Sequence, residues 1–253
     1  MKLSFYSTLI RIMLNYLDYS KGNKRKSHEN LNRNGIIYFM EKDFMKHCKR
    51  QPKLLFICKK RNTNYGPSFG LLNSATFVSN CLGKNKIESN VVQVIDNNDI
   101  DREVHRYKPT HVIIEALWVV PEKFYELAPL HPEVTWIVRI HSKAAFLAME
   151  GIAFDWINRY IIMAKKLKNF YISTNNENFN ASLTETINYK TLYLPNIYEP
   201  RRYRPNQSKD KNANILDIGC FGAIRPMKNH LTQAMAAVVF ARKQNKCLNF
   251  HIN

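Results

Sequence analysis

From residue 53 onward, short runs of apolar residues alternate with stretches in which apolar residues recur every three or four positions. The first pattern is typical of strands buried on both faces, and the second is typical of helices with one buried face. Their alternation predicts an α/β fold, in which helices cover both faces of a parallel sheet. The predicted strands are 53–59, 90–96, 111–117, 134–141, 170–174 and 191–195, and the predicted helices include 71–82, 99–107 and 152–167.

The first 50 residues follow a different pattern and are predicted to form an N-terminal extension. Within residues 1–20 the apolar positions fall at helical spacing, but the run is too short to span a bilayer. This helix is expected either to make a peripheral contact with a membrane surface or to pack on the body of the protein. Residues 21–35 are polar and basic, which is typical of a flexible connection.

A second α/β unit is predicted after a polar connection. Residues 197–214 carry prolines, polar residues and several cations, which is typical of a linker between domains. The segment 215–253 then reads as a strand, a loop, a helix and a further strand. The chain is therefore expected to contain a basic extension (1–50), a Rossmann-like domain (51–196), the linker and an incomplete second Rossmann-like domain.

The loop after the first strand of this second unit combines glycine with two cations. Gly222 lies in the loop, Arg225 and Lys228 follow it, and Asn229 precedes an apolar helical stripe. A helix N-terminus offers free N–H groups and a positive dipole end, and nearby cations add charge-assisted hydrogen bonds. We therefore expect this segment to bind the phosphate groups of a ligand, although two cations at this spacing also fit a solvated surface.

Polar residues and glycines also follow the predicted strands of the first domain. Gly66 and Gly70 follow the first strand, Glu115 lies near the end of the third, and His141 ends the fourth. Open parallel sheets bind ligands beyond these strand ends, so His141 is placed to hydrogen-bond a polar substrate. Structural roles stay open for Glu115 and His141, and Asn175 could cap the helix after the fifth strand. The GxxxG spacing of the two glycines is not the dinucleotide fingerprint.

The composition narrows the classes of function. The 253-residue chain has a formal net charge of +18, which attracts polyanions but also fits a solvated basic face. Its five cysteines form no CxxC pair, so we expect neither a zinc site nor a disulfide framework, and a reduced cytoplasmic setting fits best. No Walker or HExxH motif occurs, which argues against P-loop NTPases and against metalloproteases that depend on HExxH.

Six motifs follow one another along roughly residues 53–253. They are YGPSFGLLNSATFVSNCL, KPTHVIIEA, VTWIVRIHS, FYISTNNENFNASL, LYLPNIYEPRRYRP and IGCFGAIRPMKNHLTQAMA. In their order and context these motifs resemble the group-1 glycosyltransferases. That family has the GT-B fold of two Rossmann-like domains and transfers a sugar from a nucleotide-sugar donor.

The resemblance implies roles for particular residues. Arg225 and Lys228 would hold the donor diphosphate, with Gly222 and Asn229 beside them. His141 would contact the donor sugar or support the transfer. The acceptor-side residues would be Gly66, Gly70 and Glu115.

The reaction implied is a retaining, metal-independent hexosyl transfer that requires no cofactor and takes a nucleotide-diphosphate sugar as substrate. The two cations would neutralise the leaving diphosphate in place of a metal ion. The acceptor would be a glycan, a lipid-linked molecule or a polyanion. The protein would work in the cytoplasm or at a membrane surface, without an obligate protein partner.

The chain departs from the family pattern in ways that keep other functions open. Arg225 comes three residues after Gly222, and Ile197 stands where the family usually has glycine. A complete second domain needs on the order of 150 residues and about 40 are present, so a C-terminally truncated chain is expected and its own activity stays open. The alternatives are a glycosyltransferase directed at DNA or another polyanion, and a non-enzymatic basic module that binds nucleic acid.

Overall fold

The computed structural model describes residues 51–60, 70–197, 214–222 and 228–252. The chain divides into two compact units, residues 1–199 and residues 200–253. The predicted N-terminal extension with its membrane-surface helix lies outside the described residues, as do Gly66 and Arg225. Within the described ranges, no helix combines the length and apolar character needed to cross a bilayer.

The described part of the first unit alternates strands with helices along the chain. In chain order these are β1 (Lys53–Lys59), α1 (Gly70–Lys84), β2 (Glu88–Val94), α2 (Asp99–Tyr107), β3 (His111–Glu115), α3 (Lys123–Leu130), β4 (Thr135–Ile140), α4 (Ala144–Met149), α5 (Ala153–Lys166), β5 (Phe170–Thr174), α6 (Glu177–Ile187) and β6 (Leu192–Tyr193). The strands form one six-stranded parallel sheet with the order β2-β1-β3-β4-β5-β6. This confirms the predicted α/β fold with a Rossmann-like parallel sheet.

Several boundaries differ from the prediction for local reasons. Strand β2 begins two residues before the predicted start, and β3 ends at Glu115 because Ala116 turns the chain away with a φ of +75°. Helices α3 and α4 were not predicted. Helix α3 contains Pro129 and α4 has only six residues, so neither has an apolar pattern long enough to be recognised.

Strand side chains alternate between two apolar clusters, one on each face of the sheet. On β1, Leu55 and Ile57 belong to the first cluster, and Leu54 and Phe56 belong to the second. Helices α2, α3, α4, α5 and α6 contribute to the first cluster, whereas α1 contributes to the second. The helices that follow the neighbouring strands β1 and β3 therefore lie on opposite faces of the sheet. The position between these two strands is a topological switch point. Such a switch point is where open α/β sheets bind ligands.

The described part of the second unit is a strand, a helix and a strand: β7 (Ile215–Cys220), α7 (His230–Lys243) and β8 (Cys247–Ile252). The two strands pair in parallel, and α7 packs against them. Among the described residues of this unit, Cys220, Ala237 and Ala241 are the buried apolar side chains.

Candidate functional site

Glu115 and His141 meet at the carboxyl edge of the six-stranded sheet. Glu115 is the last residue of β3, and His141 follows the last residue of the neighbouring β4. The Nε2 atom of His141 is hydrogen-bonded to Oε2 of Glu115. The carboxylate side chain is fully buried, and the imidazole is 12% exposed. Two residues that the sequence singled out separately are therefore in direct contact beside the switch point.

Arg139 supplies the counter-charge to Glu115, its register partner on the neighbouring strand. Its Nη1 atom donates to Oε1 and Oε2 of Glu115 at 3.1 and 3.3 Å. Its Nε atom donates to the Leu194 carbonyl at 3.0 Å, and Nη2 donates to the Pro195 carbonyl at 2.7 Å and to Oδ1 of Asn196 at 2.9 Å. All three nitrogens of this buried guanidinium therefore donate to protein oxygens, so Arg139 fastens the segment after β6 to the carboxyl edge of the sheet.

Burial and neighbouring charges act in opposite directions on the Glu115 carboxylate. Burial alone raises its pKa, but the Arg139 guanidinium and the His141 hydrogen bond outweigh burial and hold the pKa below its ordinary value. Glu115 is therefore ionised at neutral pH. Burial, followed by the charge of Glu115, raises the pKa of the Cys58 thiol to about 12, so Cys58 acts as a packing residue rather than a nucleophile.

Amide and hydroxyl side chains complete the site around His141. Nδ2 of Asn175 lies 3.2 Å from Nδ1 of His141 and 3.3 Å from Oδ1 of Asn196. The hydroxyl of Ser74, on α1, donates to the same Oδ1 at 2.8 Å. The site thus joins α1, the ends of β3, β4 and β5, and the segment after β6 in one hydrogen-bonded network.

The backbone turns sharply directly after Glu115. Ala116 has a φ of +75°, a conformation that costs an L-residue about 1–3 kcal/mol and that clusters at functional sites. Its N–H donates to the Arg139 carbonyl at 2.9 Å, and the indole N–H of Trp118 donates to the Glu115 carbonyl at 3.0 Å. These bonds hold the strained turn in place, and with it the carboxylate.

This arrangement is able to bind a polar ligand or to move a proton. An imidazole with one nitrogen held by a carboxylate can accept or donate a proton at its other nitrogen. In His141 that nitrogen is Nδ1, which already contacts Asn175. A ligand that reaches Nδ1 must therefore share or replace this contact.

The other predicted site residues lie elsewhere in the chain. Gly70 is the exposed first residue of α1 and has room for a side chain, so no close approach within the described residues requires glycine there. Gly66 lies outside the described residues. The structure therefore brings Glu115 and His141 together, and no hydrogen bond links Gly70 to either of them within the described residues.

In the second unit, the described part of the predicted phosphate loop has two special backbone positions. Gly222 has a φ of +134°, which glycine adopts readily and other residues do not. Asn229 has a φ of +53° and directly precedes α7. Lys228 is exposed, and its carbonyl accepts a bond from Nε2 of Gln233 at 2.7 Å. Arg225 lies outside the described residues.

Arg139 has no predicted role in the site, and Ser74 and Asn196 occur only within the sequence motifs quoted above. One signal for Arg139 was present, because a charged residue within an apolar strand has to find a buried partner. Ser74 and Asn196 have no comparable signal, because nothing in their sequence context indicates a buried partner. Among the residues that the structure describes, no group of three or more His, Cys, Asp or Glu side chains is placed to hold a metal ion.

Comparison with known proteins assigns no family to the chain. No protein-family model matches it, and no curated protein matches it. The function has to be argued from the residues and their geometry.

Proposed function

We propose that the chain is a glycosyltransferase that uses a nucleotide-diphosphate sugar as donor. The observation that carries the proposal is the His141 imidazole, held by the buried Glu115 carboxylate beside the switch point of a parallel sheet. Polar ligands of open α/β sheets bind at this position. The order of the sequence motifs, which resembles the group-1 glycosyltransferases, adds separate support.

In this proposal, the second unit binds the donor diphosphate. Arg225 and Lys228 provide the positive charge, and the exposure of Lys228 leaves its ammonium group accessible. Gly222 opens the loop with a backbone that suits close approach of a ligand, and Asn229 leads into the N-terminus of α7. The free N–H groups at a helix N-terminus favour an anion in the same place.

The transfer breaks the bond between the anomeric carbon of the sugar and a diphosphate oxygen, and the diphosphate leaves with the bonding electrons. A new bond forms between the anomeric carbon and a hydroxyl oxygen of the acceptor, with retention of configuration. The acceptor proton passes to an oxygen of the departing diphosphate. His141 contacts the sugar or supports the transfer, while Arg225 and Lys228 stabilise the charge that develops on the leaving group.

The test is donor binding and turnover by the full chain. Thermal unfolding is followed with a panel of nucleotide-diphosphate sugars, and release of nucleoside diphosphate is measured with the donor that stabilises the chain. Arg225→Ala should abolish the stabilisation, whereas Arg242→Ala, at the opposite end of α7, should leave it intact. His141→Gln should lower turnover about 100-fold or more. A chain that responds to no donor in the panel would refute the proposal.

The net charge of +18 favours a second candidate, in which the acceptor is a polyanion such as DNA. Phosphate contacts release counterions, so binding to a DNA duplex should weaken steeply as salt is added. Duplex binding is measured across a salt series, with and without nucleotide sugar. Sugar-dependent modification of the duplex supports DNA-directed transfer, and salt-sensitive binding without modification supports a basic nucleic-acid-binding module. Duplex binding that does not change with salt concentration would exclude both DNA-directed transfer and the basic binding module.

A further inference from the structure

A chain of hydrogen bonds leads from Arg139 to His141, and the chemistry of its members fixes the direction of each bond. A guanidinium group can only donate. The Asn196 atom that lies 2.9 Å from Nη2 of Arg139 must therefore be the amide oxygen, because a nitrogen would place two donors together. The Ser74 hydroxyl donates to the same oxygen at 2.8 Å, which agrees with this orientation.

The orientation of Asn196 fixes that of Asn175. The Asn175 atom that lies 3.3 Å from Oδ1 of Asn196 must be the amide nitrogen, which carries two hydrogens. The same nitrogen lies 3.2 Å from Nδ1 of His141. One hydrogen points to Asn196 and the other to His141, so Nδ1 must be an acceptor. A proton on Nδ1 would leave two N–H groups facing each other.

The contact of Glu115 with Nε2, on the other side of the His141 ring, requires the same tautomer. Glu115 is ionised beside Arg139 and can only accept. The Nε2 atom of His141 must therefore carry the hydrogen that the carboxylate accepts. A carboxylate at Nε2 and an amide N–H at Nδ1 both select the neutral Nε2-protonated tautomer.

The backbone holds Asn175 in this position independently of the imidazole. Its N–H donates to the Ile140 carbonyl at 3.1 Å. The next residue, Asn176, is the one that caps α6, through its bond from the Phe179 N–H at 2.9 Å. The Asn175 side chain is therefore not needed for the helix and is available to the site.

We propose that Glu115 and Asn175 are positioning residues that hold His141 in the Nε2-protonated tautomer and present Nδ1 as the nitrogen that a ligand hydroxyl engages. The Asn175 amide occupies the place of that hydroxyl in the free protein. The inference rests on the proposed function only in identifying the hydroxyl as one of the donor sugar or the acceptor. The tautomer itself follows from the contacts of the free chain.

The test is ¹⁵N NMR of the full chain labelled with ¹⁵N-histidine, recorded at about pH 8, above the ordinary titration range of histidine. His141→Gln identifies the His141 ring signals by their disappearance. The wild-type ring should show a pyridine-like Nδ1 and a protonated Nε2, with one tautomer in excess by about tenfold or more. A ring that carries its proton on Nδ1, or that populates both tautomers evenly, would overturn the proposal.

Asn175→Asp tests the second positioning residue, because it replaces the amide donor with a carboxylate that accepts. Nδ1 of His141 should then become protonated, with both ring nitrogens pyrrole-like at the same pH. Asn158→Asp, the same change at an exposed position of α5, should leave the His141 signals as in the wild type. Unchanged His141 signals in folded Asn175→Asp would remove Asn175 from the proposal, and if that variant does not fold, the wild-type spectrum still decides the tautomer. The NMR samples contain no nucleotide sugar. The tautomer proposal can therefore be refuted while donor binding is confirmed, and the reverse.

Discussion

At the scale of single residues, the stability of the site depends on Arg139. Its guanidinium is buried against one carboxylate and three neutral oxygens, from Leu194, Pro195 and Asn196. Removing it leaves the buried, ionised Glu115 without its counter-charge and takes the side-chain donor from the Leu194 and Pro195 carbonyls, and each such loss carries a desolvation cost. Removing the charge of Glu115 is milder, because a glutamine oxygen still accepts from the guanidinium.

Arg139→Met should therefore lower the free energy of unfolding by about 3–5 kcal/mol, as expected for breaking a buried ion pair. Glu115→Gln should lower it by less. Urea denaturation of both variants measures the difference. Arg102→Met is the matched control, because Arg102 pairs with Asp99 on the surface, where such a pair contributes about 1 kcal/mol or less. An Arg139 variant no less stable than the Arg102 variant would contradict the structural role.

The same carboxylate makes stability depend on pH. The folded-state pKa of Glu115 is lowered, so its stabilising contribution is present above the unfolded-state pKa of about 4.3 and is lost as the pH falls through the lower folded-state pKa. The free energy of unfolding of the wild type should therefore fall more steeply than that of Glu115→Gln as the pH drops from roughly 5 to 3.

Urea denaturation across this range measures the two slopes. Glu185→Gln, which removes an exposed carboxylate on α6, provides the control and should keep the slope of the wild type. Parallel curves for the wild type and Glu115→Gln would show that the ionisation of Glu115 does not contribute to folding in this range.

At the scale of elements, the neighbouring residues Asn175 and Asn176 have separate roles. The Asn176 side chain accepts from the Phe179 N–H and so caps α6, while Asn175 faces His141. Asn176→Ala should lower the free energy of unfolding by about 1 kcal/mol and leave the His141 ring signals unchanged. Asn158→Ala, at an exposed position inside α5, should change the free energy of unfolding only slightly, since alanine favours a helix interior. A change in the His141 tautomer in Asn176→Ala would show that the two roles are not separate.

The elements of the sheet could be predicted because their signals are local. Strands such as β1 and β4 are apolar runs, and α2 has the predicted bounds because its pattern and the proline after it lie within a short window. Helix α4 could not be predicted, because six residues show less than two turns of periodicity. The bend that ends β3 could not be predicted either. Ala116 has a positive φ there, and alanine is not one of the residue types that usually adopt this conformation.

The site could be predicted in part for the same reason. Glu115 and His141 each lie at or near the end of a recognisable strand, so their place at the carboxyl edge could be predicted. The contacts that define the site are not local: Arg139 reaches Leu194 and Asn196 across more than 50 positions of sequence. No spacing rule relates such residues, and only the folded sheet brings them together.

At the scale of the whole molecule, the described parts of the two units differ in how much apolar surface they bury. The first unit has an apolar cluster on each face of a six-stranded sheet. In the second unit, the described residues form two parallel strands and one helix, whose Leu231 and Met235 are 78% and 59% exposed. Parallel pairs are weaker than antiparallel ones, and a stable sheet generally needs three or more strands. Opening the second unit should therefore require less free energy than opening the first.

Cysteine labelling of the native chain tests this difference, because buried thiols occur in both units. Cys58 and Cys81 lie in the first unit and Cys220 in the second, while Cys247 is exposed. With a thiol reagent in excess, Cys247 should react first, Cys220 next, and Cys58 and Cys81 last. Peptide mass spectrometry over time gives the order, and labelling in denaturant provides the reference in which burial has no effect. Protection of Cys220 for as long as Cys58 would mean that the two units open together, because a thiol in a separately opening unit is exposed each time that unit opens.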